Sequence, residues 1–461
     1  MSGHRLLPRV GWFFKVVSMR VAVIGSGISG LASAWLLRQS ADVHLFECDN
    51  RLGGHAHTVE AQFGDARVPV DTGFIVFNPL NYPNLVNLFT QLDVATIDSD
   101  MSFAVSMGDG QMEYEGSVRG LFAQPGNWIK PRYWSMLVDL VRFYRTAPRQ
   151  LDAGPATETL GAFIARNRYA DAFVADHLLP MGAAIWSASS QRMMDFPARS
   201  FMRFMENHKL LNFIDRPQWR TVAGGSRAYV NAIGASLGNA VHLNSDIKGI
   251  RRDNNGVYLT LAGQGEIWFD KVILAAHADQ SLALIRDPSA AERAILGGFS
   301  FQDNHAVLHS DPALMPRRRA AWASWNYLSG PERAGRPQSD QRRPNDLCLT
   351  YWMNRLQSID QRYPLFETLN PIFMPDPDLI RGEYIYRHPV FDGKAIAAQH
   401  QLAEIQGQNG VYFAGAWTGY GFHEDGLKSA IAAALSLGAN VPWPTQVRPW
   451  PRVATTIENS A

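Results

Sequence analysis

With 461 residues, 46% of them hydrophobic, the chain can bury large cores, and its length suggests about two to three domains. Lys and Arg number 43 against 42 Asp and Glu, a net charge of +1 that offers no bulk attraction to nucleic acid. Two cysteines, Cys48 and Cys348, make no disulfide framework, and without C-x-x-C or H-E-x-x-H a zinc centre is unsupported, so no metal is expected.

The opening segment, MSGHRLLPRVGWFFKVVSMR, is basic, is broken by Lys15 and lacks a small-residue cleavage site, so it does not read as a secretory signal. Residues 1–18 read instead as an extension ahead of Met19. No uninterrupted apolar stretch reaches the ~18 residues of a membrane span, and the expectation is a cytoplasmic enzyme.

Val21 to Leu37 reads VAVIGSGISGLASAWLL, an apolar strand-like run that ends in Gly25, Gly27 and Gly30 and passes directly into a helix. Gly25 allows the tight turn, Gly27 lets the backbone approach a pyrophosphate, and Gly30 lets helix and strand pack closely. The free N–H groups at the helix start, Ile28 and Ser29, then face the phosphates. The next strand, HLFE, ends at Glu47, where a carboxylate can hold a ribose hydroxyl pair and repel a 2′-phosphate. A second glycine pair follows in RLGGHAHT, with Arg51, Gly53, Gly54 and His55; a nicotinamide-dinucleotide domain has no need of it. Asp71-Thr72-Gly73 then leads into Phe74 and Ile75.

From Asn84 to Trp219 the chain turns helical and aromatic-rich, as in PRYWSMLVDLVRFYRTAPRQL. TVAGGSRAYVNAIGASL, from Thr221, supplies a Gly224-Gly225 turn and a helix. Val241 to Leu261 reads as strand, turn at Asn254-Asn255-Gly256 and strand, and FDKVILAAHADQSLALI follows. Gly297 to Arg381 carries the strand-like AVLHS, AWASWNYL and DLCLTYWMN, with a charged loop, PERAGRPQSDQRRPND, between the last two. The closing segment, VYFAGAWTGYGFHEDGLKSAIAAAL, is a short strand, a loop opened by Gly415, and a small-residue helix with Asp425 as its N-cap before Gly426 and Leu427. Residues 441–461 are proline-rich and read as a tail.

These segments resemble the FAD-binding motifs of amine oxidases and phytoene desaturases, in a bacterial branch of predicted NAD/FAD-binding oxidoreductases. The resemblance implies FAD, with the RLGG segment running past the pyrophosphate and ribityl chain toward the flavin ring and His55 near that ring. It places Ile247 by the adenine and the closing helix start at the flavin N1–C2=O edge. His277 stands where a proline is usual, and Gly415 is followed by Ala416 and Trp417 where the amine oxidases carry a glutamate.

The implied fold is α/β: a discontinuous Rossmann-like FAD-binding domain (19–83, 220–296, 382–440) with a second, α+β substrate domain (84–219, 297–381). The implied chemistry is oxidation of an apolar substrate, such as a lipid acyl chain, by hydride transfer to flavin N5. Amine oxidation is the alternative, and a non-catalytic flavin-bearing scaffold or sensor is the third reading. Trp417, Tyr420, Phe422 and His423 are the expected flavin-facing wall, with Phe74 and Ile75 as neighbours; His423 is the candidate for proton transfer, and a structural hydrogen bond in the loop is its competing reading. The Arg317-Arg318-Arg319 cluster, the charged loop after it, and Trp12, Trp443 and Trp450 suggest contact with anionic lipid headgroups; solvated arginines and core tryptophans are the competing reading.

Overall fold

A computed structural model describes residues 18–155, 157–212, 216–330 and 347–451. Arg20–Ile24 lies at the centre of an all-parallel, five-stranded sheet in the order Val411–Phe413, Lys271–Leu274, Arg20–Ile24, Asp42–Phe46, Val241–His242. Covered on both faces, this strand is buried from Val21 to Ile24, which is why it reads as one apolar run. The helix Ile28–Leu37 buries all ten of its residues between the sheet, the helix Arg227–Leu237 and the closing helix His423–Ser436. Small side chains on both partners, Ala32 and Ala34 against Ala430, Ala433 and Ala434, let the opening and closing helices approach. A β-carbon on Gly30 would stand 1.8 Å from the Gly25 carbonyl oxygen, so only glycine permits this passage from strand to helix.

The second unit is a seven-stranded sheet ordered Ile380–Val390, Ser300–His309, Phe366–Leu369, Cys348–Trp352, Trp325–Ser329, Phe103–Met107, Met112–Glu115. Helices between Pro131 and Asn207 pack over it around Phe143, Phe163, Phe173 and Phe201. The expected hairpin joins Ile247–Asp253 to Gly256–Leu261. No helix among the described residues is long and apolar enough to cross a membrane.

Three expected bounds move. Pro83–Gln91, given to the substrate domain from residue 84, buries Leu85, Leu88 and Phe89 in the core beside the parallel sheet. Its N-terminus is sealed there by Glu424, which accepts the N–H groups of Asn84 (3.1 Å) and Leu85 (3.0 Å). Ile380–Val390 pairs with Ser300–His309, so the last FAD-domain segment starts after this strand and not at 382. Residues 441–451 are not a loose tail: buried Trp443 stacks on Trp35 (6.1 Å) and donates its indole N–H to Asn84 Oδ1 (3.1 Å).

The arginine cluster is also otherwise engaged than expected. Arg317 pairs with Asp109, Arg318 with buried Glu113 (3.0 Å), and Arg319 lies over the rings of Trp322 and Trp352. Trp12 and the charged loop 331–346 lie outside the described residues.

Candidate cofactor and active site

The two glycine loops are tied together through one carboxylate. Buried Glu47 accepts the Ser26 backbone N–H (2.8 Å) and hydroxyl (2.6 Å) on Oε2, and the Asp49 N–H (2.9 Å) and Cys48 thiol (3.2 Å) on Oε1. Ser26 in turn accepts the Gly53 N–H on its carbonyl (3.0 Å) and hydroxyl (3.2 Å) oxygens. A β-carbon on Gly54 would lie 3.1 Å from Gly27 Cα, whereas one on Gly27 would meet nothing within 4 Å. Gly27 therefore borders an open lane at the helix start, where the N–H groups of Ile28 and Ser29 have no intrahelical acceptor. Main-chain donors at a positive helix end, beside a carboxylate at the next strand end, suit the diphosphate and ribose of a dinucleotide.

Gly73 keeps the following strand end against the same loop. A β-carbon there would sit 2.1 Å from the His55 carbonyl oxygen, and Phe74 N–H donates to that oxygen at 2.8 Å. Arg51 donates to the Gly54 carbonyl (3.0 Å). Ile75 is buried in the substrate-side core, and Ile247 is half-buried at the start of its hairpin strand.

The closing segment departs from expectation in two ways. Gly421, at φ +92°, turns the chain early, so the helix begins at His423 with Phe422 as N-cap; Asp425 is not the cap. From the third helical position Asp425 reaches back to the N–H groups of Tyr420 (3.0 Å) and Phe422 (3.1 Å). Trp417 is no ligand wall. It is 2% exposed, donates its indole N–H to the Ala276 carbonyl (3.0 Å) and packs on Phe299 at 4.6 Å, so its ring is spent on the core.

Tyr420 and Phe422 lean on Phe204 of the substrate-domain helix Ala198–Asn207, at 5.9 and 5.1 Å between ring centres. The opening and closing helices also touch near Gly426, whose carbonyl accepts the Ser29 hydroxyl (2.9 Å), while Leu427 is fully buried in the core. His423 stacks on Phe74 at 3.7 Å and shares a hydrogen bond with the Tyr229 hydroxyl (3.0 Å). Burial pulls its pKa down to about 3, so at neutral pH it is an uncharged link and not a ready proton carrier.

The structure also joins groups that sequence reading left apart. The His55 ring lies 5.2 Å from Tyr386, 5.6 Å from His388 and 6.1 Å from His277. His55 Nε2 and His277 Nδ1 are buried with no hydrogen-bond partner among the described residues. Burial, then the neighbouring His388 and His277, holds His55 well below the ordinary imidazole value; burial takes His277 and His388 to about 4. The trio is therefore neutral at pH 7. One signal was available: Tyr384, Tyr386 and His388 alternate along a strand and so share one face.

A cavity of about 230 Å³ opens beside the trio, with His388 in its wall. Trp186, Met193, Phe196 and Phe391 give it an apolar lining, and Asp195 and Asp392 add carboxylates. On the same sheet, Glu367 is 1% exposed and neither carboxyl oxygen has a partner among the described residues. Burial, with Asp71 nearby, pushes its pKa well above the ordinary carboxyl range, so it stands as a neutral acid. Its register partner is Tyr351, which is opposite Trp325, whose buried indole N–H is likewise unpartnered among the described residues.

Residues 28–298, more than half of the chain, match the model of a family described as flavin containing amine oxidoreductase. The chain belongs to that family. FAD is the family's cofactor, and the cradle around Gly27, Gly54 and Glu47 fits it. A curated relative, "Putative flavin-containing monoamine oxidase AofH" of Mycobacterium tuberculosis, is 28% identical over 284 residues, or 58% of this chain. The match spans only 59% of that relative's own length. Among solved structures, the CLA-producing fatty acid isomerase of P. acnes superposes with a TM-score of 0.60 at 16% identity, over 89% of this chain and 97% of that one. Cyclohexylamine oxidase of Brevibacterium oxydans superposes with a TM-score of 0.63 at 15% identity, over 91% and 99%. At these identities the likeness establishes the fold alone.

Proposed function

We propose that this family member is an FAD-dependent oxidoreductase that dehydrogenates a largely apolar substrate, with a lipid acyl chain as the leading class. One observation carries the reading: the cavity walled by Trp186, Met193, Phe196 and Phe391 reaches His388, which neighbours His55 at the end of the double-glycine loop. When bound, FAD supplies the hydride acceptor. Gly27, Ile28 and Ser29 would hold its diphosphate and Glu47 its ribose, with Gly53 and Gly54 along it. The apolar wall orients a chain and excludes water. His55 Nε2, buried and unpartnered among the described residues, can share a hydrogen bond with a substrate at the inner end while adding no charge there.

Amine oxidation is the second reading: Asp195 and Asp392 in the same wall suit a protonated amine, although Arg192 also lines it. Anaerobic mixing of the yellow protein with acyl compounds and, separately, with primary amines tests both. Bleaching of the visible flavin band by acyl compounds alone supports the proposal, and bleaching by amines alone replaces it with the second reading. No bleaching by either leaves a flavin-bearing scaffold.

A further inference from the structure

Large apolar side chains stand in water along one stretch of the substrate domain. Ile129 is 86% exposed and Val118 80%, and Trp128, Trp134 and Val138 are each about half exposed or more. They are not scattered. The Trp134 indole N–H donates to the Trp128 carbonyl (2.8 Å), Phe122 packs edge-on against Trp128 (4.9 Å), and Val138 follows Trp134 one turn along the helix Pro131–Asp152. That helix already has an inner face, because Tyr133 and Met136 enter a core with Val105, Met112 and Tyr114. The outward apolar residues are therefore surplus to folding.

Charge on this stretch is as one-sided as its apolar surface. Between residues 116 and 149 the sequence carries Arg119, Lys130, Arg132, Arg142, Arg145 and Arg149 against a single acid, Asp139, in a chain whose net charge is +1. Asp139 is buried and paired with Arg142 (2.8 Å), and Arg132 is paired with Asp176 (2.7 Å). Arg119, Lys130, Arg145 and Arg149 form no ion pair among the described residues. Arg145 and Arg149 continue the exposed stripe of Trp134 and Val138 at helical spacing, so one helix face runs from apolar to cationic before it closes on Asp152.

We propose that this face seats the protein on an anionic lipid surface, with Trp128, Ile129, Trp134 and Val138 entering the headgroup boundary and the unpaired cations meeting lipid phosphates. Tryptophan suits that boundary because its ring is apolar while its N–H stays hydrogen-bonded, and lysine and arginine can bury their stems while the charge remains in water. The acids that flank the stretch, Glu115 and exposed Asp152, leave it net positive, so anionic headgroups complement it. The assignment concerns where the protein sits and does not depend on which molecule is oxidised.

Co-sedimentation of the full-length, FAD-loaded protein with phosphatidylglycerol-containing vesicles, and with phosphatidylcholine vesicles alone, tests it at low and high salt. The wild type should pellet with the anionic vesicles and be released by salt. Trp128→Ala/Ile129→Ser should weaken binding by roughly tenfold or more, and Arg145→Ser/Arg149→Ser by roughly fivefold per cation removed. The altered side chains are exposed, so flavin content and melting temperature should not move, and Leu243→Ser, at an isolated exposed site, should bind as the wild type does. Absence of pelleting with anionic vesicles overturns the proposal, as does pelleting that these variants leave unchanged. A dimer in sedimentation velocity that Trp128→Ala/Ile129→Ser converts to monomer also overturns it and makes the face a protein interface.

Discussion

Replacing Gly27 by valine separates holding the fold from holding the cofactor. Gly27 sits at φ −63°, ψ −179°, a region open to any L-residue, and a β-carbon there meets nothing within 4 Å. The apoprotein should therefore accept valine with a stability change within about 0.5 kcal/mol, the scale of a surface substitution. The branched side chain nevertheless fills the lane that a diphosphate needs at the helix start. FAD present at a hundredfold excess over its Kd stabilises the wild type by about 2.7 kcal/mol, and the variant should forfeit that increment. Thermal melts with and without FAD, read beside the visible absorbance, check this: the two apoproteins melt together, only the wild type rises with FAD, and the variant is colourless. Gly30→Ala is the contrast, since its β-carbon would stand 1.8 Å from the Gly25 carbonyl oxygen and must push strand from helix, lowering the apoprotein melt as well. Stoichiometric flavin in Gly27→Val refutes the placement of the diphosphate. An apoprotein melt as low as that of Gly30→Ala refutes the open lane.

Glu47→Ala should weaken FAD binding and also cost the apoprotein about 1–3 kcal/mol, because the buried Ser26 N–H and hydroxyl lose their acceptor; an unchanged dissociation constant would remove Glu47 from the ribose. Glu367 has a folded pKa raised above its unfolded value. Its contribution is therefore fully present below the unfolded carboxyl value of about 4.3 and is lost as pH rises toward the folded one. Denaturant melts at pH 5, 7 and 8 should show Glu367→Gln gaining on the wild type with each step, and a constant gap would mean that Glu367 ionises normally. His423→Phe keeps the stack on Phe74 but strands the Tyr229 hydroxyl, so it should cost about 1–3 kcal/mol while leaving the pH profile of flavin reduction unchanged; a lost limb in that profile would restore His423 as a proton carrier.

The dinucleotide turn is legible in the sequence because its chemistry is local: strand, glycines, helix and Glu47 form one continuous unit whose backbone demands are written in residue types. The closing loop is different. An aromatic run such as Trp417 to His423 reads the same whether it faces a ligand or a core, and only distant partners decide, Phe299 and Ala276 for Trp417 and Phe204 for Phe422. His55, His277 and His388 come from three segments and meet only when the two sheets face each other. Arg317 to Arg319 look solvated in one dimension; pairing of Trp325–Ser329 with Phe103–Met107 helps bring Asp109 and Glu113 to them.

The FAD-binding half is assembled from both ends of the chain: Arg20–Ile24 lies two strands from Val411–Phe413, and the opening helix is covered by the closing one. During synthesis, the wholly apolar and small-residue helix Ile28–Leu37 leaves the ribosome about 400 residues before Trp443 can cap it. At ~5–20 residues per second this interval is roughly 20–80 s. Through that time the strands on either side of it and then Arg227–Leu237 can cover part of this ten-residue surface, but the face that meets His423–Ser436 has no native partner, so the nascent chain should gain from a holding chaperone. Asn84 is then the latch, met by Glu424 through its N–H groups and by Trp443 at its side-chain Oδ1.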